Sequence, residues 1–121
     1  MLRIVVMSVL LLVSASQPVL AGKRVALLIG NAAYESTGKL PNPPRDVALL
    51  AKAFRDAGFD DVRTAGDLGR QGMVEALRNF QDEASGADIA VIYYSGHGME
   101  LEGTNYLIPV DARLRSDRDV E

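Results

Sequence analysis

One histidine, no cysteine and a pair of glycines frame the chemistry open to this chain. His97 sits in Ser95-Gly96-His97-Gly98, directly after the apolar run that ends in Tyr93-Tyr94. A histidine between two glycines at the end of a buried strand can be approached closely by a substrate backbone, because no neighbouring side chain stands in the way. One histidine without cysteine excludes multi-histidine and cysteine-type zinc sites. Glu100 and Glu102 would be the nearest carboxylates to complete any other metal site, and they lack nitrogen partners. Ser95 is a poor nucleophile candidate, since the elbow Gly-x-Ser-x-Gly would need glycine at Tyr93. No phosphate-binding glycine loop follows the first apolar run. Two readings of His97 stay open on these grounds. It is a structural histidine that closes a strand, or it is a general base or ion-pair partner for a nucleophile elsewhere.

The elements that would position His97 can be read from periodicity. Lys23 to Gly30 is a short apolar strand of the kind buried on both faces in parallel sheets. Asn42-Pro43-Pro44 opens a helix, with asparagine as the cap and proline at the first turn. Val47, Leu50, Ala51, Phe54 and Ala57 give that helix its apolar stripe, and Gly58 ends it. Asp61 to Ala65 is a second strand. Met73, Leu77, Phe80 and Ala84 mark a second amphipathic helix, stopped at Ser85-Gly86. Ala87 to Tyr94 reads as the third and most buried strand. A hairpin follows between Met99 and Asp111, turning at Gly103-Thr104. The order β-α-β-α-β with right-handed crossovers predicts an α/β fold, a three-layer α-β-α sandwich around a mainly parallel sheet. Ligands in such sheets gather at the carboxyl ends of the strands, where Gly30-Asn31 and His97 both fall.

The first 21 residues read as a different object. A basic start at Arg3, an apolar run from Ile4 to Val13 and a small-residue site ending at Ala21 form a secretory signal. An uncleaved membrane anchor is the competing reading, disfavoured because the run is too short to span. Residues 22–121 then form an exported, periplasmic or secreted, domain with no stable membrane insertion after signal removal. The formal net charge of −3 offers no basic field for nucleic acid.

Val25-Ala-Leu-Leu-Ile-Gly-Asn31, Tyr34, Asp46-Val-Ala-Leu-Leu-Ala51 and Gly58-Phe59 resemble the opening of a caspase-like p20 domain. Tyr93-Tyr-Ser-Gly-His-Gly98 and Asn105-Tyr-Leu-Ile-Pro-Val-Asp111 extend the likeness, which is nearest to bacterial caspase-like and metacaspase-like peptidases of clan CD. The resemblance implies a cysteine endopeptidase acting on protein or peptide substrates. His97 would be its general base, and the backbone N–H of Gly98 an oxyanion donor. Asp46 would help form an acidic S1 pocket for arginine or lysine, although a carboxylate in a first helical turn is favoured there in any case. No cofactor is implied. Some relatives are activated by calcium, whose ligands are not assigned here.

The family's histidine lies roughly 50 residues before its cysteine, whereas 24 residues follow His97. The nucleophile is therefore expected beyond residue 121, the fold incomplete at its C-terminus and the chain alone inactive. Ser116-Asp-Arg-Asp119 has the pattern of a helix-opening capping box. Without a further strand, one edge of the third strand stays apolar and open, which predicts marginal stability or self-association. A non-catalytic binding or regulatory module on the same fold, or a flavodoxin-like ligand domain, remains the alternative.

Overall fold

The computed structural model describes residues 22–115, so the predicted leader and the capping-box pattern lie outside the described residues. The element order is β1 (Arg24–Gly30), α1 (Pro43–Asp56), β2 (Asp61–Gly66), α2 (Arg70–Glu83), β3 (Ile89–Ser95), β4 (Gly98–Leu101) and β5 (Thr104–Leu107). Among the described residues, β2-β1-β3 form a parallel three-stranded sheet and β4-β5 an antiparallel pair.

β1 is central because its apolar residues serve both faces. Val25, Leu27 and Ile29 pack with Phe80 of α2, flanked by Leu77 and Ala76. Ala26 and Leu28 point the other way, onto Val47 and Ala51 of α1. Side chains alternate across a strand, so this seven-residue run builds two cores, and the helices form the outer layers of an α-β-α sandwich. A third cluster of Tyr34, Ile108 and Val110 lies beyond the carboxyl end of the sheet. It ties the loop after β1 to the chain after β5.

Local chemistry explains the boundaries. Pro43 occupies the first turn of α1, and Asn42 sits at the cap position without a side-chain bond to the helix. Its role is thus limited to the entry geometry. Gly58 takes φ 79° after α1, a left-handed turn that glycine adopts without strain. The hairpin turns at Glu102-Gly103, one residue earlier than the sequence suggests. Both residues have positive φ, 50° and 80°, the pairing required by the tight turn that matches strand twist.

One expectation fails. β3 is less buried than β1, with Ile89 and Ile92 48% and 52% exposed. β1 pairs with β3 along its full length and with β2 from Val25 to Gly30, whereas β3 has β1 as its one neighbour among the described residues. An apolar run is sealed by its neighbours, and among the described residues this one has a strand on one side only.

Candidate active site

The register of the sheet assembles the site. Gly30 lies opposite Ser95, and the Asn31 N–H donates to the Ser95 carbonyl at 2.8 Å. The chain therefore leaves β1 and β3 at the same level. Asn31 is fully buried. Its Oδ1 accepts the Leu68 N–H at 2.9 Å, and its Nδ2 reaches the carbonyls of Leu68 and Ile108 at 3.3 and 3.4 Å. A buried amide must spend its donors and acceptor internally, and here that requirement pins three loops to the end of the sheet.

His97 is half-buried between β3 and β4. Its Nε2 lies 2.5 Å from the Gly38 carbonyl oxygen. A carbonyl can only accept, so Nε2 carries the proton, and in the neutral ring Nδ1 is left as the acceptor. The imidazole also packs on the Tyr34 ring, with centroids 4.5 Å apart and planes at 59°. The His97 N–H donates to the Tyr34 hydroxyl at 2.8 Å, and the Tyr94 hydroxyl donates to the His97 carbonyl at 2.8 Å.

The glycines on either side of His97 serve different needs. A Cβ on Gly96 would stand 2.4 Å from the Tyr94 hydroxyl and 2.7 Å from that of Tyr34. No side chain fits there, so Gly96 makes room for the protein's own tyrosines and not for a substrate. A Cβ on Gly98 would meet the Tyr106 carbonyl at an ordinary 3.4 Å. Gly98 is exposed at the start of β4, and packing within the chain does not demand glycine there.

Asp46 lies in the first turn of α1. Its Oδ2 accepts the Ser95 hydroxyl at 2.9 Å, which brings this carboxylate to within two residues of His97 along the chain. Two further features were silent in the sequence. Asp67, at φ 51°, accepts the N–H groups of Ala32 and Ala33 at 2.9 Å each. Those two bonds hold its carboxyl below the usual aspartate range. Tyr94 has its phenol pushed up, first by burial and then by its bond with the Tyr34 hydroxyl. Tyr34 stands out in the sequence only as part of a motif, and Gly38 only as one glycine in the loop before α1. No local pattern links either to His97, since they act across 63 and 59 positions.

A cleft of about 620 Å³ lies elsewhere, lined by Met73, Leu77, Ile108 and Leu114 among others but not by His97. Among the described residues no cluster of three histidine, cysteine, aspartate or glutamate side chains could hold a metal ion. No helix among them is long and apolar enough to cross a membrane.

A family model for the caspase domain matches residues 23–120. The chain belongs to the caspase-domain family. It is 38% identical over 93 residues to the mucosa-associated lymphoid tissue lymphoma translocation protein 1 homolog of Mus musculus, covering 77% of this chain and 11% of that protein. It is 37% identical over 99 residues to mucosa-associated lymphoid tissue lymphoma translocation protein 1 of Homo sapiens, covering 82% of this chain and 12% of that protein. The chain thus spans about an eighth or less of the length of these curated relatives. The relatives are mammalian, so the comparisons support the caspase domain without a bacterial subgroup. The parallel sheet between two helical layers agrees with that family's α/β fold.

Proposed function

We propose that this caspase domain carries the proton-transfer half of a cysteine endopeptidase, with His97 as its general base. The observation that carries the reading is the 2.5 Å contact between His97 Nε2 and the Gly38 carbonyl. A base must present a free lone pair in a fixed direction. Donation from Nε2 to a main-chain carbonyl selects the tautomer whose Nδ1 can take a thiol proton.

In this mechanism a cysteine outside the 121 residues loses its proton to Nδ1, and its thiolate attacks the scissile carbonyl. The tetrahedral oxyanion is held by backbone N–H groups, including that of Gly98, whose exposed position suits close approach. The imidazolium returns the proton to the leaving amine, and water releases the acyl group. Asp46 takes the side chain before the scissile bond. Its Oδ2 is engaged by Ser95, which orients the carboxylate while Oδ1 can receive arginine or lysine. That geometry favours a guanidinium or ammonium partner over a carboxylate.

The test is peptide cleavage. The 121-residue chain is expected to leave peptides with arginine or lysine at the cleavage site intact, and turnover that depends on His97 would refute the account of the nucleophile. In a polypeptide that also carries the cysteine, His97→Ala is expected to lower kcat by about 10²–10⁴-fold. Asp46→Asn should raise KM for arginine peptides. Absence of cleavage by that longer polypeptide would favour a binding or regulatory module.

A further inference from the structure

We propose that Tyr34 and Tyr94 are positioning residues for His97. Their paired hydroxyls clasp its main chain and so aim its ring at Gly38. The inference rests on the reading of His97 as the proton-transfer residue.

Both polar main-chain atoms of His97 end on a tyrosine. Its N–H donates to the Tyr34 hydroxyl and its carbonyl accepts from the Tyr94 hydroxyl, each at 2.8 Å. The hydroxyls are 3.0 Å apart, and both lie 2.9 Å from the Ile108 carbonyl. The proton count limits how the group is wired. Each hydroxyl has one proton, and the Tyr34 oxygen already receives the His97 N–H. With Tyr34 donating to Ile108 and Tyr94 donating to His97, both protons have separate acceptors. The Ile108 N–H adds a second bond to the His97 carbonyl at 3.0 Å.

The same Tyr34 side chain supports the imidazole face. Main chain and ring are thus held by one group that is itself 1% exposed. Gly96 completes the arrangement, since any Cβ there would displace both hydroxyls. A pair of tyrosines that served packing alone would have no need to converge on the N–H and C=O of one residue.

His97 is the sole histidine in the chain, so the ring nitrogens yield one set of nitrogen-15 NMR signals. In the 121-residue chain the neutral ring is expected to be mainly the Nε2–H tautomer. Tyr34→Phe keeps the aromatic ring and removes the hydroxyl. Hydrogen exchange at the His97 amide should then accelerate about tenfold, the scale of one lost hydrogen bond. The tautomer population should move toward an even mixture, while the amides of Leu27 and Leu28 keep their protection. Tyr94→Phe should have a smaller effect, because the Ile108 N–H still bonds the His97 carbonyl. Unchanged tautomer and unchanged His97 exchange in both variants would overturn the proposal. So would a uniform loss of protection across β1 with the tautomer intact, which is the mark of a merely structural role. Should Tyr34→Phe not fold, the unsubstituted chain decides. A slowly exchanging tyrosine hydroxyl proton with cross-relaxation to the His97 amide supports the clasp, and its absence removes it. None of these readouts needs turnover, so a standing clasp with no cleavage would fell only the catalytic reading.

Discussion

β1 and β3 have seven residues each and pair with one another in continuous parallel register. Their apolar content is similar, and both end at the level of the candidate site. Yet six residues of β1 are buried and none of β3 is. Leu28 of β1 is fully buried, and Ile92 of β3, one step off the residue opposite it, is half exposed. The difference lies in position. β1 has a strand on each side and a helix on each face, whereas the outer side of β3 has no strand among the described residues. Burial is a property of the place a strand takes in the sheet, and composition only makes that place available.

This contrast can be broken most forcefully by truncating one side chain on each strand. Leu28→Ala should cost about 3 kcal/mol, as expected for a filled core position. Ile92→Ala should cost about 1 kcal/mol, because half of that side chain already meets water. Chemical denaturation of the two variants checks the ranking, and equal losses would show that something covers β3 in solution. A smaller effect is expected at the edge itself. β3 carries no charge, proline or bulge to deter pairing. Concentration-dependent self-association should be visible by sedimentation and should weaken in Ile92→Lys, with a stability loss no larger than that of Ile92→Ala. A chain that stays monomeric at high concentration would argue that the edge is already protected.

The smallest effect belongs to the seam on the other side of β1. Asp67, after β2, binds two N–H groups of the chain leaving β1, and its folded-state pKa is lowered from 3.8. A lowered carboxyl stabilises the folded state above the unfolded value, and that contribution fades as pH falls below about 3.8. The side chain is exposed, so solvent screens it, and Asp67→Ala should cost about 1 kcal/mol near neutrality. Part of that loss is the strain of alanine at positive φ. Asp67→Asn keeps an acceptor oxygen and tolerates the same backbone, so it should lose only the charge-dependent part. A melting-temperature profile from pH 3 to pH 7 should therefore be flatter at its acid end in both variants than in the unsubstituted chain.

Much of this molecule was legible before its structure. The continuous apolar run up to Gly30, the helical stripe of Val47, Leu50, Ala51 and Phe54, and the glycine stops made element type and order readable, because each is a local signal. The end of the sheet at which His97 stands followed from its place directly after a strand of a parallel sheet. Gly38 could not be read, because its contribution is a carbonyl that every residue owns. The Tyr34 hydroxyl meets the N–H of a residue 63 positions away, a distance over which no periodicity speaks. The open edge of β3 was anticipated, but its rank as the most buried strand was misread, since a run of apolar residues does not report how many neighbours it will find.

The burial of Tyr34 has a consequence for the order in which the polypeptide can settle during synthesis. Its partners are Tyr94, Ile108 and Val110. β1, α1 and β2 can associate once residue 66 has emerged, and Asp67 and Leu68 then hold the first residues of the loop after β1, but the Tyr34 side chain has no core to enter until the ribosome has released residue 110. The histidine is held on one side by that loop, through Gly38, and on the other by the tyrosines. It therefore takes its final orientation late, after most of the domain around it has condensed.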